Sequence, residues 1–249
     1  MTPDRTERIC AWVAFVAILL GATASNTHSF KVRLLPDDLN SPILAMELLR
    51  SPADLPSVVG NPSDTKNNRK GVERLTKIDF AFIFAYGSLF TFVSLRLWQR
   101  SCSLAALLVL GAGLGAAVFD VLENLAIFRT LECLCTTPRF PSLIKWTLTF
   151  ITLIVVAPVF VDSTLKPLRR TIGVLAAAVC VTTGIVGLAG ILLRVDPLIE
   201  KGAAFMGLGL LFGWLFFATR ATLRNGLVSA LNRLAEIPGF KQLSTWPSE

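Results

Sequence analysis

The chain has 249 residues, of which 53% are hydrophobic and 16% charged, where a soluble domain carries about 25% charged, so an ordinary soluble enzyme is excluded. Lys and Arg total 24 against 17 Asp and Glu, a formal charge of +7. With one His and five scattered Cys, the residues for His-rich zinc hydrolysis, two-His haem ligation or a membrane-embedded His-dependent serine nucleophile are missing.

A helix that crosses a bilayer needs about 20 mostly apolar residues, and six segments meet or approach that length. The first, Ile9 to Thr27, follows Arg5 and Arg8. It has two readings: a retained first span, or a cleavable secretory signal ending near Ala22-Thr23-Ala24. Both export the residues that follow.

From His28 to Thr76 the composition turns to Pro, Asp, Asn and Ser, marking a water-facing loop. Ser41-Pro42 starts a short helix whose Ile43, Leu44, Met46, Leu48 and Leu49 suit a membrane interface, and Ser51-Pro52 closes it. That helix carries Glu47, and we expect it to cover the outer ends of the second and third spans as a lid. A second short helix is predicted from Pro52 to Val59, ending at Gly60, and a mobile loop from Asn61 to Lys70.

Phe80 to Leu95 forms the second span, between Asp79 and Arg96. Ser101 to Phe119 is the uncharged core of the third, and Trp146 to Val161, between Lys145 and Asp162, is the fourth. Thr171 to Leu193 and Gly202 to Thr219 are the fifth and sixth. Beyond them Leu223, Leu227, Leu231, Leu234 and Ile237 fall near helical spacing, with Arg220, Arg224 and Arg233 on other faces. This tail is either a helix lying on an anionic leaflet or a solvated one, ended by Pro238-Gly239.

Orientation follows from basic residues in short segments. If the amino terminus is cytoplasmic, the inner segments hold Arg5, Arg8, Arg96, Arg100, Lys166, Arg169, Arg170, Arg220, Arg224, Arg233 and Lys241, eleven in all, and the short outer loops hold five. The count favours a multi-pass protein of the cell membrane with both termini cytoplasmic. The domain plan is then 1–27 for the first span or signal, 28–76 for the extracytoplasmic loop, 77–219 for the bundle and 220–249 for a basic tail.

Gly111-Ala112-Gly113-Leu114-Gly115 lies inside an apolar span without the strand of a dinucleotide fold, so it reads as a helix-contact surface, as do Gly209 with Gly213 and the stripe Gly184, Gly187, Gly190. Neither a G-x-x-x-x-G-K-[ST] phosphate loop nor a G-x-S-x-G elbow occurs. Cys133 and Cys135 are too close for an unstrained internal disulfide, and Cys10, Cys102 and Cys180 read as small span residues. Basic charge is dispersed, which gives nucleic-acid binding no footing.

One constellation remains. Asp120, Glu123 and Asn124 are at i, i+3 and i+4, so all three project from one face of the third span, where charge is costly unless it faces protein or a wet cavity. Taking that span as Cys102 to Phe128, Glu123 lies about 12 Å to the outer side of its centre. Asp79, opening the second span, and Lys145, early in the fourth, reach nearly the same level. Such a layer has three readings: a site for a small ligand, lipid or ion; an acid/base pair acting on a lipid-like substrate, with Glu123 or Asp120 transferring protons and Asn124 orienting; or hydrogen-bonded glue between helices.

The order Glu47-Leu48, Asp79-Phe80 and Asp120-x-x-Glu123-Asn124 resembles an uncharacterised group of bacterial multi-pass membrane proteins across about the first half of the chain. The resemblance implies no activity. The sequence reading is thus an all-α polytopic bundle of six transmembrane helices, or five if the first is cut, with a helical extracytoplasmic loop. The candidate binding residues are Asp79, Asp120, Glu123, Asn124, Lys145 and Glu47; no metal or cofactor is expected. The expected partners are the lipid bilayer, a small-molecule, lipid or ion ligand and a helix-mediated oligomer.

Overall fold

The computed structural model describes residues 3–26, 39, 41–59, 62–133, 136–161, 165 and 167–221. The apolar runs become six long helices: α1 (Pro3–Asn26), α4 (Pro62–Trp98), α5 (Ser103–Cys133), α6 (Arg139–Val156), α7 (Pro167–Leu193) and α8 (Asp196–Ala221). Two short helices, α2 (Pro42–Glu47) and α3 (Leu55–Val59), stand between α1 and α4. Each of the six is long and apolar enough to cross a membrane, and no strand occurs among the described residues. The chain is an all-α multi-pass membrane protein.

The exposed residues show why these helices need lipid. On α5, Leu104, Leu107, Leu108, Leu114, Val118, Leu122 and Leu125 are exposed, a stripe at helical spacing that would face water in a soluble fold. The opposite face, with Ala106, Val109, Ala116, Asp120, Glu123 and Asn124, is buried. The helix is therefore inverted relative to a soluble one, its polar residues turned to protein.

The helices associate in chain order: α1 packs on α4, α4 on α5, α5 on α6, α6 on α7 and α7 on α8, and α8 returns to α1. The result is a closed ring. Tight turns set two of these pairs. After α4, Ser101 has φ 61°, with Cys102 N–H donating to Leu97 O at 3.1 Å; after α7, Arg194 has φ 58°, with Val195 N–H donating to Gly190 O at 2.8 Å. Both are left-handed helix ends that reverse the chain without glycine. Pro158 ends α6, which continues only as a 3-10 turn over Ala157–Val159.

Glycines bring the axes close where the seams are tightest. A Cβ at Gly187 would stand 2.3 Å from the Phe150 ring, and one at Gly202 would stand 2.9 Å from Gly187 Cα, so α6, α7 and α8 meet at one point through missing side chains. In the α5 glycine run the close position is Gly113, whose Cβ would lie 2.7 Å from Phe90 Cβ, whereas Gly111 faces open space.

Asn61 to Lys70 was expected to be a loop, but from Pro62 onward it is the first turns of α4, so the second span's helix starts well before residue 77. Proline suits a first helical turn, and Asn68 is buried with its Nδ2 donating to Val59 O at 2.5 Å, which ties this polar extension to α3. The tail from 222 onward and Cys135 lie outside the described residues, while Cys10, Cys102 and Cys180 are free thiols.

Ion pairs fix the two ends of the ring. At the base, Glu7 of α1 is 1% exposed and its Oε1 accepts from Arg96 of α4 at 2.9 Å, while Oε2 accepts from Arg169 of α7 at 2.8 Å. Arg100 donates to Val159 O at 2.8 Å. At the other end α2 and α3 form a cap. Asp196, 3% exposed at the start of α8, receives Arg139 of α6 at 3.0 and 3.1 Å and Arg50 at 3.1 Å. Arg139 also donates to Leu48 O, Ser142 Oγ donates to Glu47 O at 2.9 Å, and Ser41 N–H donates to Glu200 Oε1.

Candidate functional site

Lys145 stands one and a half turns into α6 and is buried beneath the cap. Its Nζ donates to Glu123 Oε1 at 2.7 Å and lies 3.1 Å from Glu47 Oε2 and 3.2 Å from Asp120 Oδ1. One ammonium thus holds carboxylates from α2 and, twice, from α5. A buried ion offsets its desolvation only with close, multiple partners, and this one has three. Tyr86 OH donates to Asp120 Oδ2 at 2.8 Å, Trp146 Nε1 to Glu47 Oε2 at 2.9 Å, and Asn124 Nδ2 to Asp79 Oδ2 at 2.8 Å.

Four of the six residues singled out from the sequence, Glu47, Asp120, Glu123 and Lys145, thus join through Lys145, while Asp79 and Asn124 form a separate hydrogen-bonded pair, and the six do not have equal access to a ligand. Beneath the cap the ring encloses a cavity of about 560 Å³. Glu47, Asp79, Asp120 and Lys145 line it; Glu123 and Asn124 do not. Glu123 holds Lys145 from behind, and Asn124 holds Asp79. Both stand behind the cavity wall, one turned to Lys145 and the other to Asp79.

Two buried carboxylate oxygens, Asp120 Oδ1 and Glu123 Oε2, accept no hydrogen bond. Such atoms normally find a donor, so the cluster is short of donors rather than acceptors. No protein-family model, curated protein or solved structure matches the chain.

The site's geometry is lopsided. Glu47, Asp79, Tyr86, Asp120, Lys145 and Trp146 gather at the cap end with Ser41 and Thr149, and the wall beyond them is largely apolar, with Leu89, Phe90, Val93, Leu153, Val156, Phe160 and Phe217 leading toward the base. Small residues make the room: Ala14, Ala17 and Gly21 from α1, and Ala203, Gly209 and Gly213 from α8. The chamber has the volume of a typical small-molecule site, about 300 to 1,000 Å³. Ala22, Ala204 and Gly207 line it and are also exposed, Ala204 and Gly207 on the same α8 stripe as exposed Leu208 and Leu211. The cavity therefore meets the lipid-facing surface along the seam of α1 and α8.

Several residues here were not singled out from the sequence. Tyr86 lies two helical turns after Asp79 on the same face of α4, a spacing that could have flagged it, and Trp146 adjoins Lys145. The Asp196–Arg139–Arg50 tie gives no local signal, because its members are far apart in the chain. The Glu47 helix packs on α5, the third span, and α3 packs on α4, the second, while side-chain ties add α6 and α8. Glu47 turns inward, to Lys145 and Trp146. Among the described residues no group of three or more His, Cys, Asp or Glu is placed to hold a metal; Lys145 occupies the centre of the acidic cluster.

Proposed function

We propose that this membrane protein binds one small amphipathic molecule, its polar head among Glu47, Asp79, Asp120 and Lys145 and its apolar part in the body of the ring. The observation that carries this reading is the division of a single cavity into a polar cap end and an apolar remainder. A purely structural cluster requires no chamber beside it, and an ion path requires polar residues toward the base, where the lining is aromatic and aliphatic. The seam at Ala22, Ala204 and Gly207 supports loading from the bilayer. Native mass spectrometry of protein taken from its membrane is expected to find one bound amphiphile per chain; a bare chain would contradict the proposal.

In the same reading the cap faces the extracytoplasmic side of the cell membrane and α1 is a retained span, since its Glu7 joins α4 to α7 and its small residues line the cavity. The basic residues Arg5, Arg8, Arg96, Arg100, Arg169 and Arg170 gather at the base, which supports a cytoplasmic base. In a cysteine-free background, an impermeant thiol reagent applied from outside is expected to label Ala53→Cys and spare Arg170→Cys. The reverse pattern would invert the topology.

A further inference from the structure

Resting on the reading that the cavity holds one amphipathic molecule, we propose that its head is a protonated amine bearing N–H groups, carried on a single apolar chain. Three carboxyl groups, Glu47, Asp120 and Glu123, surround the one ammonium of Lys145, and a fourth, Asp79, lines the same cavity with Asn124 as its hydrogen-bond donor. The cluster's own donors are already committed to carboxylates: Lys145 Nζ on Glu123, Tyr86 OH on the Asp120 oxygen far from Lys145, Trp146 Nε1 on the same Glu47 Oε2 that faces Lys145, and Asn124 Nδ2 on Asp79. Asp120, 4% exposed and part of the cavity wall, still has an oxygen that accepts no hydrogen bond, its nearest cation being Lys145 at 3.2 Å.

A molecule that completes this arrangement must bring donors and positive charge. A protonated primary amine brings three N–H groups and no acceptor. A carboxylate or phosphate head brings acceptors and a further negative charge, an arrangement that rejects a ligand as effectively as a clash does. A hydroxyl brings a donor without the charge, and a quaternary ammonium brings the charge without the donor. The Trp146 ring is already engaged, with Lys145 Nζ at 4.8 Å from its centroid and the Phe150 ring stacked at 5.5 Å.

The tail follows from dimensions. From Lys145 to Val156 the α6 wall is about 16 Å long, close to the roughly 15 Å depth of one leaflet's hydrocarbon. A single chain of membrane-lipid length fits such a chamber.

The test uses three probes with one tail: hexadecylamine, hexadecanol and hexadecanoic acid, titrated into the detergent-purified full chain and read by native mass spectrometry. Hexadecylamine is expected to bind one per chain and at least about tenfold more tightly than the acid. Asp120→Asn, which keeps the side chain's shape, is expected to collapse that ratio, with hexadecylamine binding falling toward that of hexadecanol. Acid binding as tight as the amine, or a ratio unchanged in Asp120→Asn, would overturn the assignment of the head and leave the cavity reading intact. Binding of none of the three, or binding unaffected by Leu153→Trp in the apolar half, would overturn the cavity reading itself.

Discussion

Replacing Lys145 with Met is expected to destabilise the protein by about 3–5 kcal/mol, the range for removing one partner from a buried ion pair. The Met side chain fills the same space, so the loss is electrostatic. Without the ammonium, Glu47, Asp120 and Glu123 face one another with no cation, and Tyr86, Trp146 and Asn124 cannot supply the missing charge. The cap loses hold as well, since the Glu47 side chain would keep only Trp146. Denaturant unfolding in detergent measures the change. Adding Glu123→Gln to Lys145→Met is expected to restore part of the stability, because it removes one of the uncompensated carboxylates. A single variant as stable as the parent would show that Lys145 does not organise the cluster.

At the opposite end, Arg96→Met is expected to cost about 3 kcal/mol, the lower part of the same range, because Arg169 still holds Glu7 Oε2. Arg96 supplies two contacts to Oε1, at 2.9 Å from Nε and 2.8 Å from the terminal nitrogen, and it joins the start of α1 to the end of α4. The two clusters are about 25 Å apart along α4, counted from Asp79 to Arg96. At that distance the losses are expected to add within about 0.5 kcal/mol. Measuring Arg96→Met, Lys145→Met and their combination checks this. A strong interaction energy between them would mean that the ring transmits strain from base to cap.

The spans could be read from the sequence because bilayer thickness fixes helix length and leaves little choice. The carboxylate layer was legible for a related reason. Asp120, Glu123 and Lys145 interrupt apolar runs, and a charge at that depth has to turn toward protein, so antiparallel neighbours with charges at one level converge. Tyr86 and Trp146 left only a faint signal, two helical turns from Asp79 and next to Lys145, because each looks like an ordinary span aromatic until its hydroxyl or ring nitrogen is seen donating. Glu47 was ambiguous: a six-residue helix can present its one acid to either side, and what turned it inward were backbone ties from Ser142 and Arg139, remote in sequence.

The cavity could not be read at all. Gly209 and Gly213 have the spacing of a close helix contact, and both do approach α7 or the α6 end at 3.4–3.5 Å from the position of an added Cβ, yet both also border the chamber. Small residues leave a gap or close one according to whether the ring shuts. The closure of α8 on α1 is a property of the whole chain. Asn61 to Lys70 misled in the opposite way, since polarity excludes lipid but not helix, and α4 simply continues past the hydrocarbon.

The central claim, an occupied amphipathic cavity, is met most directly by comparing the mass of the parent protein with that of Leu153→Trp, both taken from the same membrane and held intact by native mass spectrometry. Leu153 lines the apolar half, and an indole there occupies the space of the tail without touching the carboxylates. The parent is expected to carry one bound amphiphile per chain and Leu153→Trp none, with both equally folded. A parent without the added mass, or a Leu153→Trp chain that keeps it, would contradict the claim.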